Sequence, residues 1–486
     1  MKTIHIFFVV FSLLFGLLFS FRAGLFENFY FESKKGNVAR FSDLPEKETW
    51  MNVWQNDRKI GFSHTRLLKE ENGYLIKEDL FMRINTIGFS NDLMLKTTGR
   101  LNPDLTLSTF DFSISSGRFQ FAAHGKVSDK TISIKTDQKQ LDIRVDKKPF
   151  LASGIIHTIV DRGMGPGDSI KIHVFSPASM NVEPVNIMIV GKEDITNMGL
   201  IKPATKVEIK YMGTSQYAWI GEGGDILREQ GMLGLKLEKT TRKDALFGLP
   251  IESSSDLTEI ASVASNVRFD DPGRLVMIKV NISGIELNEK NISGNRQHLE
   301  KNMLTIRRED LTDLANVVTP MEIQESMKAF LAPSTFIESD HPEIKKQAQM
   351  ITAPDDNLLV KAKKIVGWAK ENIEKRPVLS VPDALSTLRN RQGDCNEHAV
   401  LTAALARAAG IPAKVEAGLV YMKGRFYYHA WNNLFLGQWI TADATFGTLP
   451  ADVTHIRLSS GLENIQSDIM GTIDKIHIEV IDYSYD

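Results

Sequence analysis

The sequence predicts an α+β chain, with a large antiparallel β-rich region first and a helical domain holding the only cysteine last. Three observations carry this. From Thr49 onward, short runs of alternating apolar and polar residues repeat, each closed by turn residues. After Pro333 the apolar spacing becomes that of amphipathic helices. Ahead of both, Ile4 to Phe21 is an almost unbroken apolar run.

That run comes first in the chain. As a helix its 18 residues reach about 27 Å, close to the ~30 Å hydrocarbon core of a bilayer. A cleaved signal peptide wants small residues at two positions before the cut. Ser20 and Ala23 would be paired there with bulky Leu18 and Phe21, so residues 1–22 read as an uncleaved, single-pass transmembrane anchor. The bulk of the chain is then expected on the periplasmic or extracytoplasmic side, although Arg22, Lys34, Lys35 and Arg40 run against that orientation. Residues 23–45 read as a juxtamembrane linker ending at Pro45.

Residues 46–260 form the predicted β-rich domain. "WMNVWQNDRKIGFSHTRL" reads as strand, Asn56-Asp57 turn, strand, and similar runs follow, such as "STFDFSIS" and "KTISIKTD". The spacing indicates a large antiparallel sheet or open barrel. Gly163, Gly165 and Gly167 form a glycine-rich stretch, but no Lys-Ser/Thr follows, so it reads as a turn rather than a phosphate loop. A second β-rich segment, 261–330, carries "RLVMIKVNISG" and "MLTIRRED". The helical domain spans 331–460, and 461–486 is a C-terminal strand extension. In the helical domain Asp340 is the expected N-cap of a first helix, with Pro342 in its first turn. Leu359, Ala362, Val366, Ala369 and Ile373 fall at helical spacing in a second, and "VPDALSTLRN" is a third.

Bulk composition excludes some functions. The 58 basic and 60 acidic residues are spread evenly, with a net charge of −2 and no basic stripe, so nucleic-acid binding has no support. One cysteine excludes an internal disulfide and a thiolate zinc site.

That cysteine, Cys395, lies in "RQGDCNEHAVLTAALARAAGIPA". Asp394 and Glu397 make a capping box, and Gly410 and Pro412 end the helix, so Cys395 falls at the first helical residue. Val400, Leu401, Ala404, Leu405 and Ala408 form the expected buried stripe. Unpaired N–H groups at a helix start favour a thiolate, and they could also donate to an oxyanion. Downstream, "GRFYYHAWNNLFLGQWITADATFG" reads as a hairpin with strands from Arg425 to Leu434 and from Gln438 to Thr445. With Phe435-Leu436-Gly437 as its loop, His429 directly faces Asp443, within reach of an imidazole–carboxylate hydrogen bond. His429 would then take the Cys395 proton and lower the thiol pKa as an ion pair, while Asp443 orients the ring. His398 is three residues from Cys395. A Cys-x-x-His metal pair would need two further ligands, so a hydrogen-bonded supporting histidine is expected instead.

"GDCNEHAVLTAALARAAGIPAKV", "YYHAW" and "WITADATFG" resemble the three blocks of the transglutaminase-like superfamily, which shares the papain-type cysteine-enzyme core. The resemblance covers about residues 335–460 and matches the bacterial, membrane-anchored type. It implies a papain-like/transglutaminase-like C-terminal domain with Cys395 as nucleophile, His429 as base and Asp443 as orienting acid. It also implies acyl transfer on protein or peptide amides through a thioester, with no cofactor and no metal. Where the papain pattern has an oxyanion-binding glutamine six residues before the cysteine, this chain has Arg389, and the donor stays unassigned between Gln392 and a tryptophan. Two alternatives remain: a peptidase or amidase using the same three residues, and a non-catalytic envelope scaffold with a relic cleft. The expected partners are a protein or peptide substrate and, through the N-terminal helix, the membrane.

Overall fold

A computed structural model describes residues 44–486 apart from 87–88, 117–118, 137–139, 212–213, 249–255, 313, 315–324, 377–382 and 462–468. The predicted anchor, 1–22, and the predicted linker up to residue 43 lie outside the described residues. Among the described residues no helix is long and apolar enough to cross a membrane.

The N-terminal region folds as one 15-stranded sheet. Local chemistry makes its first hairpin. Asn56 and Asp57 take φ of 45° and 65°, the left-handed pair that a two-residue turn needs, and they join Lys47–Gln55 to Arg58–Glu70. Lys47–Gln55 also pairs with Leu235–Thr240, so the start and end of the region lie side by side. At one edge, Phe150–Leu151 returns to the start of Leu107–Ser116 through a Thr106–Phe150 bridge. The sheet thus curls on itself. Inward residues of both halves, Ile76 and Phe110 with Val185 and Val207, share one core, to which the short helix Ile155–Asp161 adds Ile156 and Ile159.

A separate four-stranded sheet has the order Gln297–Glu300, Met303–Arg307, Leu275–Ser283, His477–Tyr485. The C-terminal strand therefore completes a sheet that begins well before the helical domain.

That domain sets the helices Pro342–Ile351, Leu358–Asn372, Ala384–Asn390 and Cys395–Ala408 against a sheet. In the sheet Ala413–Met422 lies between Arg425–Phe435 and Ile456–Gly461, all antiparallel, and Trp439–Ala442 pairs with Arg425–Phe435. Ala413, Val415 and Ala417 join the helical core, whereas Leu419 and Tyr421, further along the same face, join the core of the four-stranded sheet. Two local expectations are corrected. The first helix is capped by His341, whose Nδ1 accepts from Glu343 N at 3.3 Å, and Asp340 lies one residue outside it. The cysteine helix buries every residue from Glu397 to Arg407 rather than one stripe. It is enclosed by the other three helices and by Arg425–Phe435, and its alanines let them all approach.

Candidate active site

The start of the cysteine helix is held by its own cap. Asp394 Oδ1 accepts from Asn396 N at 2.7 Å, and Glu397 Oε2 accepts from Asp394 N at 2.9 Å. Cys395, the first helical residue, is partly accessible, and the Ala430 N–H, on the residue after His429, favours its thiolate. Burial pushes the thiol pKa well up. Asp394, Glu397 and Asp443 push the same way, and the Ala430 N–H opposes them only in part. The thiol pKa expected to fall at the helix terminus is instead raised, because burial first, and then the nearby carboxylates, outweigh the donor.

The hairpin register also differs from expectation. Asn432 faces Ala442 and Phe435 faces Trp439, so the loop is Leu436-Gly437-Gln438, with Gly437 at φ 107°. This slides the second strand by two residues and sets Asp443 level with Trp431, diagonal to His429. A two-residue slide preserves the face, because side chains alternate with period two. His429 and Asp443 meet all the same, with Nε2 and Oδ2 2.7 Å apart. Asp443 is fully buried, and Thr445 N and Phe446 N donate to its Oδ1 at 2.7 and 3.3 Å. Burial works against its charge, but His429 and His455 outweigh burial and hold its pKa far below the usual carboxylate range.

His455 is the residue that sequence reasoning missed. Its Nε2 lies 3.0 Å from the same Asp443 Oδ2. It arrives by long-range pairing, just before the strand Ile456–Gly461 that joins Ala413–Met422, and nothing local in "DVTHIRL" announces it. The His429 ring is flanked by Phe446 and Trp431, with centroids 5.2 and 6.0 Å away. Trp431 is itself fixed, because Glu416 accepts from Trp431 Nε1, Asn433 Nδ2 and Arg457 Nη1, each at 2.9 Å. A buried carboxylate satisfied by three donors, one of them the Arg457 counter-charge, makes a rigid floor beneath the imidazole.

Lys375 is a second residue the sequence did not reveal. The short pairing of Glu374–Lys375 with Gln392–Gly393 brings it beside the cysteine helix. Its Nζ sits 4.4 Å from the Phe446 ring centroid, and its charge interacts with Asp443 and Cys395. Arg389 is turned away and paired with Glu343. His398 donates from Nδ1 to Asp394 O at 2.7 Å, and burial lowers its pKa, as befits a neutral supporting histidine. Among the described residues, the ligand atoms of His429, Asp443 and His455 lie within 4.8 Å of one another. Both Asp443 oxygens already accept hydrogen bonds, so the group fits a hydrogen-bond chain better than an ion site. A cavity of about 460 Å³ on the first sheet is lined by Lys96, Asp111 and His124 and by no residue of this site.

Residues 345–444 match the family model of the transglutaminase-like superfamily. No curated protein matches the chain. A solved structure from Cytophaga hutchinsonii, assigned provisionally as a cysteine protease, is 18% identical over 44% of this chain and 88% of its own, with a TM-score of 0.28. A β-barrel-like protein of domain of unknown function DUF1849 from Brucella abortus is 11% identical over 41% of this chain and 97% of its own, with a TM-score of 0.33. A provisionally assigned protease from Parabacteroides distasonis is 12% identical over 79% of this chain and 64% of its own, with a TM-score of 0.21. The matched segment, 345–444, contains Cys395, His429 and Asp443.

Proposed function

We propose that the chain is a cysteine-dependent acyltransferase acting on protein or peptide amides through a thioester on Cys395. One observation carries this reading. His429 commits Nε2 to Asp443, so Nε2 bears the proton and Nδ1 keeps a lone pair, and the N–H of the next residue, Ala430, favours the Cys395 thiolate. The sulfur is protonated at rest, so attack is general-base assisted: His429 Nδ1 takes the S–H proton as sulfur bonds to the amide carbon. The C–N bond then breaks, and the amine leaves with that proton. An acceptor amine attacks the thioester and gives its proton to Nδ1. The C–S bond breaks, and the sulfur recovers the proton. Asp443 keeps the ring in one tautomer and stabilises its transient charge. On this reading the apolar run at residues 4–21 anchors the chain in the membrane, with its bulk extracytoplasmic.

The test is acid-quenched intact mass spectrometry during turnover of a peptide amide, with a labelled primary amine present. An adduct on the wild type, absent from Cys395→Ala, and label in the product are expected. Turnover that survives Cys395→Ala sinks the mechanism. An adduct that releases only free acid assigns hydrolysis instead, and a chain that never acylates is the scaffold.

A further inference from the structure

The interior of the curled sheet is not apolar throughout. On Gly73–Thr86 the inward positions run Tyr74, Ile76 and then Glu78. Glu78 stands opposite Thr65, and Thr65 opposite Thr49, so a polar row crosses three neighbouring strands where the alternation calls for core. With Ser63, Glu229 and His157 this row lines an internal cavity of about 40 Å³. His157, on the short inner helix, is only 6% exposed.

These groups hold unspent hydrogen-bonding capacity. Neither carboxylate and neither His157 ring nitrogen makes a hydrogen bond or ion pair with any described residue. Lys47, the cation lining the cavity, is engaged elsewhere, with Gly223 O at 2.8 Å and Asp225 Oδ1 at 2.9 Å. Two enclosed carboxylates without a counter-charge are costly to keep, and Glu78 shows it: burial and the Glu229 charge push its pKa up to about 7. His157 is kept neutral by burial and so offers a lone pair. The cavity has room for roughly three waters or one compact cation.

We propose that this cavity binds a compact cation, taken either as a divalent metal ion or as the ammonium group of an amine. Glu78 and Glu229 supply the charge, and the Thr49, Ser63 and Thr65 oxygens with the His157 nitrogen supply the remaining contacts, directly or through water. The site owes nothing to the Cys395 chemistry.

Calorimetric titration of the full chain with calcium chloride, magnesium chloride and methylammonium chloride, in separate arms, tests this. Saturable one-to-one binding in at least one arm is expected, and the arm that responds tells metal from amine. Glu78→Gln and Glu229→Gln should each weaken it at least tenfold. Both are isosteric and remove a buried charge, so thermal melts should show the fold kept, and Cys395 alkylation should not change. Absence of binding in all three arms overturns the proposal. So does wild-type affinity in the double variant, which would put the cation elsewhere, for instance at His429, Asp443 and His455.

Discussion

His455 Nε2 lies 3.0 Å from Asp443 Oδ2, the oxygen that also meets His429 Nε2 at 2.7 Å. The other His455 nitrogen faces Asp452, with O at 3.2 Å and Oδ1 at 3.3 Å. A neutral imidazole has one N–H and cannot donate in both directions, whereas an imidazolium can. Burial alone would lower the His455 pKa, but Asp443 and Asp452 outweigh it and raise it to about 9. A cation locked against Asp443 keeps that carboxylate ionised and still, as an acid that orients His429 must be.

His455→Gln keeps a donor beside Asp443 and removes the charge. If the acyl-transfer reading holds, kcat/KM should fall about 10–100-fold, from the loss of a charged hydrogen bond of roughly 1.5–3 kcal/mol. The folded pKa is raised, so the stabilisation is full below the unfolded value of 6.5 and is lost as pH rises through about 9. The melting-temperature gap between wild type and variant should therefore narrow across that window. A gap that stays constant with pH would show that the buried ring is not charged.

The reactivity of Cys395 should answer to its neighbours' charges with opposite signs. Asp394→Asn keeps an N-cap acceptor but removes the negative charge that resists thiolate formation, so the thiol pKa falls and labelling at pH 8 quickens. Lys375→Gln removes a cation that interacts with the thiolate, so labelling slows. Changes of roughly three- to tenfold in iodoacetamide rate fit single charges at a partly screened site. Cys395 is the only cysteine, so the label reports one position. Equal rates in all three proteins would mean that access, not charge, controls the sulfur.

What the sequence revealed and what it hid separate by range. The Asp394–Glu397 cap and the first residue of the cysteine helix were legible because both hydrogen bonds close within four residues. The meeting of His429 and Asp443 was legible despite a loop placed one residue early. The resulting two-residue slide keeps the face, and the long imidazole bridges the diagonal. His455 and Lys375 were not legible, since strand pairings that no local pattern encodes deliver both. The polar row at Thr49, Thr65 and Glu78 was hidden for the opposite reason. Period-two alternation reads which side a residue faces, but not that the inward side holds a cavity.

Gly418 tests whether the spacing of these strands sets the site. It pairs with His429 on one side and Arg457 on the other, so it separates the strand of the base from the strand that follows His455. A Cβ at this position would run into the Ile456 carbonyl oxygen and stand 2.9 Å from the Leu458 nitrogen, both backbone atoms that cannot swing aside. Gly418→Ala must therefore push the strands apart, at about 1–3 kcal/mol, read as a lower denaturant midpoint. Activity should fall further than the lost folded fraction explains, because the same displacement draws His455 away from Asp443. Gly367→Ala is the control: it lies within the helix Leu358–Asn372, and its added Cβ would meet nothing within 4 Å. That variant should gain roughly 0.5–1 kcal/mol and leave the rate alone. A Gly418→Ala protein with the wild-type midpoint and rate would show that the strands have slack and that their spacing does not position the histidines.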